Sequence, residues 1–405
     1  MIRPISIFLL IILFVQGRST VLATNSEGFW LVLLLCIIPF ALIISAKYSN
    51  TTKINSLIAT VLILFSWAVT ILLFSWDDSV RKGVGYTVVL GDVIVLLPAV
   101  FWLFVLWFVT SPIPNRRSFA LYRFRLDILL LFVPVFVFFG VCELSSELGA
   151  TEGVLDVVLL MTFLVVLLLS PFFISTILST KQMENLELRS SIIDAGLRAG
   201  IQYNRILVWN THNRIINAMA IGLFFQSRSI VFTDKLISKL TQSELLAIAA
   251  HEIAHHKYWH IPFLVITLLC SMVWSTKLFE LFDLELSEAY MYAMNIAIML
   301  LTLILVSRRF ESQADSYAVV NLSTAQGSDV VTEDSVKVMT NALEIACNNQ
   351  KKNSNSHDPL HGSIKSRQLT LQKLVGRRIS DISINKQVKW FKVTIVIALI
   401  AGIVV

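Results

Sequence analysis

Residues 251–255 read His-Glu-Ile-Ala-His, the densest concentration of reactive side chains in the chain. In a helix, residues four apart lie on one face. His251 and His255 can therefore each offer an imidazole nitrogen to one metal ion. Glu252 sits beside them, placed to take a proton from a water at that ion. A buried structural histidine pair would not require a glutamate in second position, so this spacing predicts a zinc site, one Zn²⁺ per chain, that activates water for hydrolysis. His256 and His260 repeat the four-residue interval, but Lys257 occupies the place of the glutamate. That pair is expected to be solvated or interfacial.

The motif carries meaning only on a helix, and the local sequence supplies one. Thr241 and Glu244 form a T-x-x-E capping box, and Leu245 to Ala250 are helix formers. Two histidines leave the site incomplete, because catalytic zinc takes three protein ligands and keeps one position open. Glu311 is the expected third ligand. His255 stands six residues before an apolar run that begins at Ile261, and Glu311 stands five residues after another that ends at Val306. At 1.5 Å per residue both lie about 8–9 Å from the edge of a bilayer, so an antiparallel pair of spans would bring them to one height. Asp315, one turn beyond Glu311, is placed to accept a hydrogen bond from a ligand histidine and fix its orientation.

The elements around this constellation are apolar to a degree that excludes a disordered chain, a coiled coil and an ordinary soluble enzyme. Of 405 residues, 56% are hydrophobic and 15% charged, against about 25% charged in soluble domains. Apolar runs at 4–16, 29–46, 55–75, 87–110, 128–143, 154–178, 261–275, 289–306 and 390–405 predict a multi-pass membrane protein. The first also fits a cleavable signal peptide. Lys47, Lys53, Arg116, Arg117, Arg123, Arg125, Lys181, Arg189, Arg308 and Arg309 fall on one face when the chain is threaded alternately. Loop 143–153 offers only Glu143, Glu147 and Glu152. Positive loops face inward, so 179–260 and 307–389 are expected in the cytoplasm, at a plasma or inner membrane. The net charge of +6 is accounted for by these flanking residues, and no nucleic-acid partner is expected. Asp92, a few residues inside its run, reads as an interfacial carboxylate. Cys36, Cys142, Cys270 and Cys347 include no CxxC pair, which supports neither a disulfide framework nor a cysteine zinc site.

Within the polar stretches, Arg205–Asn210, Ile215–Ile221 and Ser229–Thr233 are short β-rich runs that predict a small sheet. Segments 333–349 and 363–376 predict helices, and 321–332 and 351–358 predict loops.

Taken together, HExxH on a capped helix, a membrane hairpin and then Glu-x-x-Ala-Asp at 311–315 resemble the HtpX and CAAX-prenyl endopeptidase family of gluzincin metallopeptidases. Asn217-Ala218-Met219-Ala220-Ile221-Gly222 is similar to that family's Asn-Ala…Gly edge strand. His361-Gly362 with Arg367 is similar to its His-Pro…Arg motif, with Gly362 where the family has proline. The similarity runs from about Asn204 to Leu374, and six candidate spans before the zinc helix look more like the CAAX-type than the HtpX-type layout.

The resemblance implies a mainly α-helical multi-pass membrane protein with a cytoplasmic zincin-like domain of helices and a small sheet. The spans of 1–178 would precede a first half at 179–260, a transmembrane hairpin at 261–306, a second half at 307–389 and a last span at 390–405. It further implies a zinc endopeptidase acting on protein or peptide substrates at the lipid bilayer. Glu252 would be general base, Asn217 would hold substrate backbone or the developing oxyanion, and His361 would stabilise the tetrahedral intermediate. Arg367 would pair with a carboxylate near the site. A protease for misfolded membrane proteins is the leading expectation. A dedicated CAAX-type processing protease and a zinc sensor without turnover are the alternatives.

Overall fold

The computed structural model describes residues 28–48, 52–84, 88–111, 116–224, 226–281, 288–348 and 361–404. The apolar run 4–16 and the loop at 351–358 lie outside them. Two compact units divide at Leu178 and Ser179.

The first unit is helical throughout its described residues. Helix α1 (Gly28–Val32) passes through a π turn at Leu33–Ile37 into α2 (Ile38–Tyr48). Then follow α3 (Thr52–Phe74), α4 (Trp76–Val84), α5 (Val88–Val109), α6 (Arg116–Phe124), α7 (Leu130–Glu147) and α8 (Glu152–Ile177). Trp67, Ile63 and Leu106 are buried between helices, while Phe65, Leu97 and Val157 point outward, the pattern of helices solvated by lipid. Asp92 is fully buried and paired with Arg81 at 2.5 Å. An ionisable side chain near the end of an apolar helix is tolerated in such a pair, so the carboxylate is packed between helices rather than solvated.

Across both units the described residues include seven helical stretches long and apolar enough to cross a membrane: Trp30–Tyr48, Ser56–Phe74, Val89–Val109, Arg116–Glu147, Gly153–Ile177, His260–Leu281 and Ile379–Val404. The protein is a multi-pass integral membrane protein.

The second unit holds a four-stranded sheet: β1 (Lys181–Gln182), β2 (Arg205–Trp209), β3 (Ala218–Ile221) and β4 (Ser229–Thr233), in the order β1-β2-β4-β3. Strand β2 runs parallel to β4, with Leu207 opposite Val231; β3 is antiparallel to β4, with Ala220 opposite Ile230. Strand β3 is therefore an edge. The two-residue β1 is too short to leave an alternation in the sequence.

The helices are α9 (Leu186–Arg198), α10 (Asp234–Lys239), α11 (Gln242–Lys257), α12 (His260–Leu281), α13 (Glu288–Ala325), α14 (Glu333–Asn348), α15 (Ile364–Gln372) and α16 (Ile384–Val404). Helix α13 is continuous through the apolar run expected to end at Val306 and into the expected loop at 321–332. No proline or glycine interrupts it before Gly327.

Helix α11 is buried on nearly every side, and small residues make that packing close. Ala247, Ala249, Ala250 and Ala254 have no exposed surface, nor do Ala314 and Ala318 on α13. Side chains this short let α11 approach both the sheet and α13. The core around it includes Ile206, Ile230, Phe232, Ile253 and Met339.

Candidate metal centre

Helix α11 starts with the capping box its sequence announces. The Glu244 carboxylate accepts hydrogen bonds from the Thr241 backbone N–H at 2.9 Å and hydroxyl at 3.0 Å, and the Thr241 hydroxyl accepts from the Glu244 N–H at 3.4 Å. With its start fixed, the helix presents His251 and His255 on one side, their ring centroids 4.9 Å apart and their Nε2 atoms 3.2 Å apart. From α13, Glu311 brings Oε2 to 3.6 Å from Nε2 of His251 and Oε1 to 3.6 Å from Nε2 of His255. Three ligand atoms from two helices thus lie within 4.8 Å of one another.

These residues fit a zinc ion on grounds internal to the structure. Tetrahedral bonds of about 2.0–2.1 Å put ligand atoms about 3.3 Å apart, close to the separations seen. Oε2 of Glu311 is buried with no hydrogen-bond partner, which leaves its lone pairs free for a metal ion. Burial, together with the charges of His251, His256 and His361, holds the His255 imidazole well below its ordinary pKa. It is therefore neutral, the form that ligates. For His251 burial pulls the pKa down, but the hydrogen bond to Asp315 and the charge of Glu311 outweigh it and leave it raised.

Asp315 lies one turn beyond Glu311. Its Oδ1 is 2.9 Å from Nδ1 of His251, which leaves Nε2 turned toward the centre. Arg367 on α15 grips the same carboxylate through two nitrogens, Nε to Oδ2 at 2.7 Å and Nη2 to Oδ1 at 2.6 Å, and reaches to 3.6 Å from Oε2 of Glu311. Burial alone would raise the Asp315 pKa; the Arg367 charge and the hydrogen bonds from Arg367 and His251 instead hold it far below the carboxylate range.

Glu252 is buried, its Oε2 accepting a hydrogen bond from the backbone N–H of Ala220 at 2.8 Å. That N–H belongs to edge strand β3, and its bond ties the glutamate to the free side of the sheet. Burial, and secondarily the Glu311 charge, raises the Glu252 pKa against the counteracting His251.

Asn217 begins this edge. Its N–H donates to the Thr233 hydroxyl at 3.0 Å, and its carbonyl accepts from the Thr233 N–H at 3.0 Å. The loop before it is pinned by Asp234, whose carboxylate accepts from the Thr211 N–H at 3.0 Å, the Thr211 hydroxyl at 2.6 Å and the Asn213 N–H at 2.8 Å. Gly222 ends the edge with a φ of +93°, where a Cβ would sit 2.3 Å from the Ser227 carbonyl oxygen. Only glycine fits there.

His361 is half exposed, with Nε2 3.9 Å from Oε1 of Glu311. Gly362 after it has a φ of +75°. Proline is locked near −65°, so the chain turns here in a way the family's proline could not follow.

His251, Glu252, His255, Glu311, Asn217, His361 and Arg367 all line one cleft of about 520 Å³ within the second unit. Asp315 stands behind it. The expectation for the other two histidines is overturned: His256 is 4% exposed and His260 0%. His256 faces away from the centre, Nδ1 2.9 Å from the Tyr203 hydroxyl, its pKa lowered to about 4 by burial and by the Arg228 charge. The sequence hid their burial because the covering surfaces come from distant segments.

Residues 182–360 match the model of peptidase family M48. A stretch of 119 residues is 30% identical to CAAX prenyl protease 1 of Saccharomyces cerevisiae, covering 26% of this chain and 26% of that protein. The match thus spans about a quarter of the length of that curated relative. The crystal structure of Ste24p from S. mikatae has a TM-score of 0.47 and 18% identity, over 91% of this chain and 96% of that one. The HExxH helix and Glu311 both fall inside the segment, residues 182–360, over which this membrane protein is similar to peptidase family M48.

Proposed function

We propose that the protein is a zinc-dependent endopeptidase of the membrane that hydrolyses peptide bonds in membrane or misfolded proteins, with its second unit facing the cytoplasm. The single observation carrying this reading is the convergence of His251, His255 and Glu311 within 4.8 Å beside the buried Glu252. His251, His255 and Glu311 would hold the metal. Once bound, zinc supplies Lewis acidity that polarises a carbonyl and makes water easier to deprotonate.

Glu252 takes a proton from the attacking water and passes it to the departing amine. A carboxylate with a raised pKa suits both halves of that transfer. An extended substrate strand can pair with the free edge of β3, which would set its backbone across Glu252 without demanding a particular sequence. Asn217 at the start of that edge would hold substrate backbone, and the His361 imidazole would donate to the oxygen that gains charge. Asp315 holds His251, and Arg367 holds Asp315.

Glu252→Gln tests the assignment. It should bind one zinc as the wild type does while peptide hydrolysis falls by about 10²–10⁴-fold; wild-type cleavage of casein or a membrane-protein substrate by this variant refutes the role of Glu252. The yeast relative named as a CAAX prenyl protease favours a second reading, processing of a CAAX-prenyl substrate. Turnover of a prenylated peptide with no turnover of casein would select it.

A further inference from the structure

The two histidines of α11 are held from behind by different chemistry. Nδ1 of His251 meets the carboxylate of Asp315. Nδ1 of His255 instead lies 3.1 Å from Nδ1 of His260. His260 has no exposed surface, and its ring stacks on Phe310 with centroids 4.4 Å apart and planes 4° from parallel. The far nitrogen, Nε2, is 3.0 Å from Oε1 of Gln313, itself 3% exposed. The Gln313 amide nitrogen donates to Oδ1 of Asn385 at 2.9 Å. A continuous line of polar contacts therefore runs from the metal helix through α12 and α13 to the first turn of α16.

The protons in this line have one consistent arrangement. Ligation through Nε2 leaves His255 with its proton on Nδ1, where it can only donate. Nδ1 of His260 must then accept, which places the His260 proton on Nε2, where it donates to the Gln313 carbonyl oxygen. That oxygen faces His260 only while the Gln313 NH₂ group is held by an acceptor, and Asn385 supplies it. The reverse tautomer of His260 would set two N–H groups against each other at 3.1 Å.

We infer that His260, Gln313 and Asn385 are positioning residues: they fix the tautomer and ring orientation of His255, so that a polar tether from the C-terminal helix holds its Nε2 ready for the metal. The inference rests on the zinc reading above. It assigns a function to a histidine outside the HExxH motif and to an amide pair 72 residues apart in sequence.

Zinc affinity, measured by chelator competition on the full-length protein in detergent, tests it without reference to turnover. Gln313→Leu removes the acceptor and frees His260 to change tautomer, so affinity should fall by about 10–100-fold, the usual effect of losing such a partner. Asn385→Asp keeps an acceptor for the Gln313 NH₂ group and should bind as the wild type does, whereas Asn385→Leu should bind more weakly. Asn385 is exposed, so this second pair of variants reads the same tether should Gln313→Leu not fold. Wild-type affinity in Gln313→Leu, or equal weakening in Asn385→Asp and Asn385→Leu, overturns the tether and leaves the zinc centre standing. Failure of the wild type to bind zinc overturns both.

Discussion

Replacing Arg367 by methionine removes the charge that keeps Asp315 ionised inside the protein. Asp315 is 3% exposed, and two of its contacts, at 2.7 and 2.6 Å, come from Arg367. Breaking a buried ion pair from one side costs about 3–5 kcal/mol. Asp315 keeps His251 at 2.9 Å, so the lower end, about 3 kcal/mol, is expected. For a unit of this size that corresponds to a fall in melting temperature of roughly 6–12 °C.

The effect has a definite pH signature. Native Asp315 sits below its ordinary pKa, so its ionic stabilisation is complete above the unfolded value near 3.9 and is lost as pH falls through the native value. The gap between wild type and Arg367→Met should therefore be widest at neutral pH and shrink below about pH 4. Thermal or denaturant unfolding in detergent with a chelator present measures this without interference from metal release. Arg367→Lys, which keeps a charge but not the two-pronged geometry, should fall between the two. A methionine variant as stable as wild type at neutral pH, or a gap that does not change with pH, refutes the electrostatic account of the Asp315–Arg367 pair.

Two further outcomes follow from backbone geometry. Thr241→Ala removes half of the capping box of α11; because the hydroxyl accepts from Glu244 at a long 3.4 Å, the loss should be only about 0.5–1 kcal/mol, read as a small shift in the denaturation midpoint. Gly222→Ala forces a Cβ to within 2.3 Å of the Ser227 carbonyl oxygen, so the end of β3 must move. If substrate pairs with this edge, KM should rise by more than kcat falls; an unchanged KM would remove β3 from substrate binding.

What the sequence made legible was whatever is decided within a few turns of helix or by the bilayer. The run of apolar segments specified membrane helices, and Thr241 with Glu244 specified the start of α11. The five residues of HExxH needed only a helix to bring two imidazoles together. Glu311 and Asp315 are one helical turn apart, and the spacing of the flanking apolar runs points to the helix that brings them to the histidines. Arg367 had no nameable partner because its bond to Asp315 spans 52 residues. The burial of His260 is hidden for a similar reason: it depends on Phe310 and Gln313, and no period in residues 251–260 encodes either. Short β1 and the uninterrupted length of α13 likewise follow from packing rather than from local pattern.

The groups that converge on His251 and His255 are far apart in order of synthesis. Arg367 is 116 residues downstream of His251 and Asn385 lies further still. At about 5–20 residues per second of translation, roughly 6–23 s elapse between the appearance of the first histidine and of the arginine. Through that interval the nascent chain carries its HExxH segment without the guanidinium that grips Asp315 in the folded protein. The set of side chains that braces the two histidines from behind is therefore complete only once Arg367 and the first turn of α16 have been made.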